Sequence, residues 1–230
     1  MIKYLFLDLD NTILDFNKAE DVAIRKTMAE RGLEPTDALV RRYSTLNDQL
    51  WKALERGELT RDQVVIGRFS AFFGEQGIEV DAPAVAHTYE TFLSQGHWFL
   101  PGAEKCVKEE LFGKYKLYLA SNGTAVVQHG RMTSADLYPY FDEAFVSQEL
   151  GYNKPSREYF DAAFARIPGF DPNQCLMVGD SLTSDIRGGK NAGLRTVWVN
   201  PGHKTAPEDL KPDYEIEKLA DLPALLEEIE

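Results

Sequence analysis

Cysteine is scarce in this sequence, and there is no framework of closely spaced cysteines that could stabilise the fold. The 230 residues include two cysteines, Cys106 and Cys175, which lie in apolar-flanked segments and lack the spacing of a metal knuckle or a redox pair. We therefore expect two buried thiols in a protein of the reducing cytoplasm. A chain of this length can bury a sizeable core as one large domain, or as a core domain with an insertion.

Long apolar runs and an excess of basic residues are also missing. The N-terminal segment MIKYLFLDLD meets a carboxylate too early for a signal peptide, and no window approaches the ~20 apolar residues of a membrane span. With 37 acidic and 25 basic residues, the net charge of -12 argues against nucleic-acid polymers as partners. A small phosphorylated metabolite stays possible, because a metal ion and one or two local cations can reverse the field inside a cleft.

Short apolar segments recur along the chain and alternate with helical patterns. The segments that indicate buried parallel strands are 2–7, 116–120, 144–146, 175–178 and 196–199, and the helical patterns lie near 125–135, 157–167 and 184–192. This order predicts an α/β fold with a doubly wound parallel sheet. Ligands of such sheets bind beyond the carboxyl ends of the strands, where we expect Asp8, Ser121 and Asp180.

Residues 15–100 have helical periodicity throughout and no convincing strand, so we predict an all-helical insertion. Thr60 and Gln63 have the spacing of a capping box, Gly57 follows one helix, and Asp81 with Pro83 opens another. The predicted domains are therefore a catalytic core, 1–14 and 101–230, and a helical domain, 15–100.

Two carboxylates, Asp8 and Asp10, follow the first predicted strand in the segment Asp8-Leu9-Asp10-Asn11-Thr12. At positions i and i+2 they can project from one side of the strand end, so that one attacks a substrate while the other handles protons. Taken alone, the segment is more typical of a turn whose polar side chains satisfy backbone groups.

Three later segments carry polar groups suited to a phosphoryl site. Ser121-Asn122-Gly123-Thr124 joins a strand to a helix and offers a hydroxyl and backbone N–H groups to phosphate oxygens, although a helix cap has the same composition. Lys154-Pro155 precedes another helix and offers a cation, or simply a solvated lysine. Gly179-Asp180 with Asp185 ends a buried strand with two carboxylates, whose hard oxygens suit magnesium.

In this order, the four segments resemble the four motifs of the haloacid dehalogenase superfamily. The resemblance spans the core almost from end to end and implies a Rossmann-like core with a mobile cap, here of the helical class inserted after the first motif. It implies that Asp8 is the nucleophile and Asp10 the general acid and base. Magnesium is expected on the Asp8 carboxylate, the Asp10 backbone carbonyl and Asp180, with Asp185 in a supporting position.

The resemblance also implies that Ser121, the backbone of Asn122 and Lys154 bind phosphate. A carboxylate that approaches a phosphate dianion is repelled by about 4 kcal/mol per unit-charge pair at ~4 Å and an effective dielectric constant near 20. A divalent cation with Lys154 offsets this repulsion, which is what phosphoryl transfer chiefly requires of a protein. Members that displace halide lack an acid at the position of Asp10, so Asp10 favours a phosphatase.

The predicted cap further resembles the bacterial pyrimidine 5'-nucleotidase branch, which implies hydrolysis of nucleoside monophosphates, including noncanonical pyrimidine forms. The resemblance includes Asp15-Phe16, Asn47, Trp51 and the segment 57–60. Asn47 and Trp51 are four residues apart, on one helix face, and are candidates for recognition of the base, although aromatic residues at this spacing more often form a core.

Three alternatives remain open from the sequence. They are a phosphatase for a small phosphorylated acid or sugar, a phosphomutase with the same nucleophile, and a noncatalytic sensor. A sensor is disfavoured because both Asp8 and Asp10 are present.

Overall fold

The computed structural model describes residues 1–229 and divides the chain into two compact units. The core unit consists of Met1–Asp15 and the chain from His97 onward, and the helical unit is Phe16–Gly96. The predicted insertion, 15–100, thus extends past the helical unit at both ends. The reason is that the chain on either side pairs within the core unit: Asp15 N donates to Trp98 O at 2.8 Å, and Leu100 N donates to Ile13 O at 3.0 Å.

The core unit contains a six-stranded sheet in which every pair of neighbouring strands is parallel, as predicted. Its strands are β1 (Tyr4–Leu7), β2 (Lys116–Ser121), β3 (Glu143–Val146), β4 (Cys175–Gly179), β5 (Arg195–Val199) and β6 (Tyr214–Ile216). The strand order is β3-β2-β1-β4-β5-β6. The direction of winding therefore reverses between β1 and β4, and a ligand site is expected at the carboxyl ends of these two strands.

The strands are apolar because both faces of the sheet are covered. Alternate side chains of β1 enter different cores: Leu5 and Leu7 join one with Val107 and Leu222, whereas Phe6 joins another with Phe160. Burial on both faces explains why the strand sequences are continuous apolar runs and do not alternate between apolar and polar residues. The predicted α/β, Rossmann-like fold class is confirmed.

Helices connect the strands and form the two outer layers of the core unit. The α-helices are α6 (Ala103–Lys105), α7 (Ala125–Ser134), α8 (Ser147–Leu150), α9 (Arg157–Phe164), α10 (Arg187–Ala192) and α11 (Leu222–Ile229). Two turns are wound as π-helix, Cys106–Leu111 after α6 and Leu182–Ile186 before α10. The helical segment predicted near 184–192 therefore starts earlier, at Leu182, and changes from π-helix to α-helix at Arg187.

The helical unit contains the helices α1 (Phe16–Glu30), α2 (Asp37–Glu55), α3 (Arg61–Val65), α4 (Gly67–Glu75) and α5 (Ala82–Leu93). Thr60 and Gln63 form the predicted capping box at the start of α3, and the Asp81 side chain caps α5. Gly57 follows α2 with a positive φ of 74°, a conformation that favours glycine. Within residues 1–229, no helix combines the length and the apolar character needed to cross a membrane.

Candidate active site

Asp8 lies directly after β1, at the point where the winding of the sheet reverses. Its backbone N–H donates to Val178 O on β4 at 2.9 Å, and its carboxylate accepts a hydrogen bond from Lys154 Nζ at 2.8 Å. The residue is 6 % exposed. Burial raises the pKa of Asp8 to about 7, Lys154 opposes this rise, and Asp185 and Asp10 add to it. Ionisation of the Asp8 carboxylate thus depends on nearby positive charge.

Lys154 supplies that charge from a position that is 1 % exposed. Its ammonium group donates to Asp8 at 2.8 Å, to Asp185 Oδ1 at 2.7 Å and to Ala120 O at 2.6 Å. Burial lowers the pKa of Lys154, but Asp185 and Asp8 outweigh burial and raise it above its ordinary value. The Asn122 side chain fixes the backbone of Lys154 through two 2.8 Å bonds, one from Lys154 N and one to Lys154 O. Asn122 therefore positions the lysine from a strand end 32 residues away.

Asp180 and Asp185 follow β4 and complete a cluster with Asp8, in which carboxylate oxygens of all three residues lie within 4.8 Å of one another. Burial first, and then the charge of Asp8, raises the pKa of Asp180 well above its ordinary value. Asp185 already accepts hydrogen bonds at both oxygens, from Lys154 and, at 3.0 Å, from Ser181 N. Hard oxygen donors this close repel one another unless a cation separates them, so the cluster fits a magnesium ion bound chiefly by Asp8 and Asp180.

Asp10 lies in a tight turn after Asp8, and its carboxylate does not belong to this cluster of three. Asn11 N donates to Leu14 O at 2.8 Å, and Asn11 has a positive φ of 58°, which asparagine tolerates better than most residues. The turn directs the Asp10 side chain to α7. There Asp10 accepts a hydrogen bond from Gln128 Nε2 at 2.6 Å and forms an ion pair with Arg131.

Ser121 ends β2 and is 1 % exposed. Its hydroxyl accepts from Gly123 N at 3.1 Å and from Gln128 Nε2 at 2.7 Å. The carboxyl ends of β1, β2 and β4 thus bring together the residues predicted from the four motifs: Asp8, Asp10, Ser121, Asn122, Lys154, Asp180 and Asp185. Their individual chemical roles stay predictions.

Three residues that contact this site were not predicted from the sequence. Gln128 and Arg131 lie three residues apart on α7 and both reach Asp10. Trp198 on β5 donates its indole N–H to Asp180 O at 2.9 Å. The i, i+3 spacing on a helix that follows Ser121 was the available signal for Gln128 and Arg131, but nothing local in the sequence indicates which carboxylate they meet.

The two candidate substrate residues, Asn47 and Trp51, lie on one side of α2, as their spacing predicts. Asn47 is 2 % exposed, and its amide donates to Glu20 Oε1 at 2.7 Å and accepts from Arg68 Nη1 at 2.8 Å. Both polar atoms of its side chain therefore bond within the chain. Trp51 is half-buried, with the Arg61 guanidinium 5.8 Å from its ring centre. Base recognition by either residue stays a prediction, and the surroundings of Asn47 favour a structural role.

Comparison with known proteins identifies the family to which the chain belongs. The family model described as haloacid dehalogenase-like hydrolase matches residues 2–193. The chain is 41 % identical to the HAD-hydrolase YfnB of Bacillus subtilis, over 95 % of this chain and 92 % of that protein. It is 38 % identical to the pyrimidine 5'-nucleotidase PynA of Streptococcus pneumoniae (96 % and 93 %) and 29 % identical to the pyrimidine 5'-nucleotidase YjjG of Escherichia coli (97 % of each).

A solved structure agrees with the sequence comparison. A magnesium-bound crystal structure of B. subtilis YfnB superimposes with a TM-score of 0.92 at 40 % identity and covers 98 % of each chain. The agreement extends over the core and helical units alike, since nearly the whole chain is matched. Together with the convergence of the four motifs at one edge of the sheet, these matches show that the chain belongs to the haloacid dehalogenase-like hydrolases.

Proposed function

We propose that this hydrolase is a magnesium-dependent phosphatase that forms an aspartyl-phosphate on Asp8, and that its substrates are pyrimidine nucleoside monophosphates, including noncanonical forms. The observation that carries the proposal is the close arrangement of Asp8, Lys154, Asp180 and Asp185 at the carboxyl ends of β1 and β4. The names of PynA and YjjG support the substrate class. The two buried free thiols fit a cytoplasmic enzyme.

In the proposed first step, a carboxylate oxygen of Asp8 attacks phosphorus while the bond from phosphorus to the ester oxygen breaks. Asp10 gives a proton to the departing alkoxide, so that the nucleoside leaves as a neutral alcohol. Lys154, the Ser121 hydroxyl and backbone N–H groups after β2 bind the phosphoryl oxygens. Asp8 and Asp180 would hold a magnesium ion, which would supply charge neutralisation at the phosphoryl group.

In the second step, water attacks the phosphorus of the aspartyl-phosphate and the bond to the Asp8 oxygen breaks. Asp10, left as a carboxylate by the first step, accepts a proton from the water. The products are inorganic phosphate and the original Asp8 carboxylate, and the enzyme is ready for another turnover. Asp10 therefore returns to its starting protonation state within one cycle.

The formal charges of the site support this division of roles. Four carboxylates, those of Asp8, Asp10, Asp180 and Asp185, face two cations, Lys154 and Arg131. A divalent cation would balance the excess of negative charge and leave the site able to accept an anionic phosphate ester. Removal of the cation should leave Asp8 buried among carboxylates, with its ionisation and its attack on phosphorus both disfavoured.

The test is release of inorganic phosphate from a panel of nucleoside monophosphates, sugar phosphates and small phosphorylated acids, with magnesium and with excess EDTA. The proposal predicts the highest kcat/KM with pyrimidine monophosphates and loss of activity in EDTA that added magnesium restores. A preference for a sugar phosphate or a phosphorylated acid would replace the substrate class and keep the chemistry. Undiminished activity in EDTA would contradict the chemistry itself.

A further inference from the structure

We propose that Gln128 and Arg131 are positioning residues for Asp10, and that they set the orientation in which Asp10 transfers protons. This inference rests on the proposed function and deepens it, because it assigns roles to two side chains outside the four motifs. The two residues are called the α7 pair below.

Arg131 is the first half of the pair. Its side chain is fully buried, and its Nη1 donates to Asp10 Oδ1, whose own side chain is 27 % exposed. A buried guanidinium is costly unless it is paired with an anion, so the chain gains by keeping Asp10 beside it. The guanidinium carries only N–H donors and no acceptor. It acts on Asp10 through position and charge.

Gln128 is the second residue of the α7 pair, and it donates to the other carboxylate oxygen of Asp10. Its Nε2 donates to Asp10 Oδ2 at 2.6 Å and to Ser121 Oγ at 2.7 Å, and the residue is 1 % exposed. The two oxygens of Asp10 thus have different partners, which fixes the rotation of the carboxylate about its own axis. One amide group also joins Asp10 to the hydroxyl that we propose binds phosphate.

The backbone nearby leaves room for this amide. A Cβ atom on Gly123 would lie 2.6 Å from Cδ and 2.7 Å from Cγ of Gln128, which is closer than real Cβ atoms approach. Glycine at this position therefore lets the Gln128 side chain lie against the turn after β2. Gln128 thus occupies space that is open because residue 123 is a glycine, and it bonds to two predicted site residues. These contacts are not those of an ordinary surface residue of a helix.

The chemistry of Asp10 explains why its orientation matters. A general acid and base must lie within hydrogen-bond reach of the ester oxygen in one step and of water in the next. A misplacement of about 1 Å can cost roughly 100-fold in rate. A carboxylate on a solvent-accessible turn has rotational freedom, and the α7 pair removes it before substrate binds.

The inference is tested with Gln128→Met and Arg131→Met, with Arg131→Lys as the conservative variant and Asp10→Asn as the reference. Thr133→Ala is the matched control, because Thr133 is an exposed residue of the same helix. Each variant is first checked by thermal melting, and kinetics are measured at saturating magnesium. Two substrates are compared: a pyrimidine monophosphate, whose alkoxide needs a proton to leave, and p-nitrophenyl phosphate, whose phenolate leaves without one.

We expect Gln128→Met and Arg131→Met to lower kcat for the nucleotide about 10- to 100-fold, with KM within about threefold of wild type. With p-nitrophenyl phosphate they should release a first equivalent of p-nitrophenol rapidly and then turn over slowly, and we expect the same of Asp10→Asn. Arg131→Lys should recover part of the lost kcat. In the Asp10→Asn background, Gln128→Met should cause almost no further loss, because the residue acts through Asp10.

Several outcomes overturn the inference. Wild-type kcat in a folded Gln128→Met variant is one, and equal losses for both substrates without a burst is another. Additive losses in the double variant would show that the pair acts independently of Asp10. A wild-type enzyme that hydrolyses no phosphate ester overturns the proposed function and this role with it, whereas active wild type with unaffected variants overturns this role alone.

Discussion

Replacing Gly179 by alanine is expected to dismantle the buried charge network next to Asp8. A Cβ at this position would lie 2.7 Å from the Cβ of Asp185 and closer still to its carboxyl group. Gly179 is fixed in β4 between two strands, so Asp185 has to move. The move breaks the 2.7 Å bond from Lys154 Nζ and the 3.0 Å bond from Ser181 N.

The size of the effect follows from these two bonds. A hydrogen bond to a charged group contributes about 1.5–3 kcal/mol, so their loss should destabilise the protein by about 3–6 kcal/mol. For a chain of this size each kcal/mol corresponds to about 2–4 °C in Tm, so the melting temperature should fall by about 6–24 °C. Phosphatase activity should fall as well, because Lys154 loses one of its two carboxylate partners.

The assay is thermal melting of Gly179→Ala beside Gly74→Ala. Gly74 lies within α4, and a Cβ there would meet no atom within 4 Å. The control should therefore melt at or slightly above the wild-type temperature, because alanine favours a helix by about 0.5–1 kcal/mol over glycine. If Gly179→Ala melts within about 2 °C of wild type and keeps its activity, the bonds of Asp185 to Lys154 and Ser181 contribute little to stability or function.

Three further predictions concern single side chains. Asp10→Asn should lower kcat by about 10²- to 10⁴-fold while magnesium binding, measured by calorimetry, is largely retained; unchanged kinetics would make Asp10 structural. Asn47→Ala should cost about 3 kcal/mol or more in denaturant unfolding, because it removes buried bonds to Glu20 and Arg68, and should affect all substrates alike. Trp51→Ala should lower kcat/KM for pyrimidine monophosphates about five- to 150-fold more than for p-nitrophenyl phosphate if its ring stacks on the base, and equal losses would withdraw that role.

The sequence was informative where local pattern and topology suffice. Apolar strands followed by Asp8, Ser121 and Asp180 implied a parallel sheet, and parallel strands place their carboxyl ends at one edge. The convergence of distant motifs therefore followed from the fold class. The sixth strand, Tyr214–Ile216, was missed because it has three residues and pairs at the edge of the sheet with β5.

Side-chain contacts between residues far apart in the chain could not be predicted from the sequence. Arg131 meets a carboxylate 121 positions earlier, and Asn47 lies between Glu20 and Arg68, which are 27 and 21 positions away. Helical spacing indicated the face on which Asn47 lies, but not that its amide is fully used inside the helical unit. Such contacts depend on how helices pack, which periodicity alone does not specify.

In the proposed mechanism Asp8 carries the phosphoryl group during turnover, and trapping that intermediate is the most direct test. Enzyme mixed with a pyrimidine monophosphate and magnesium is quenched in acid within one turnover, reduced with borohydride and digested, and the peptide containing Asp8 is identified by mass. We expect reduction of the Asp8 acyl-phosphate to the corresponding alcohol in wild type, and neither that modification nor turnover in Asp8→Asn. An active wild-type enzyme whose Asp8 peptide is never modified, together with an Asp8→Asn variant within tenfold of wild-type activity, would contradict it.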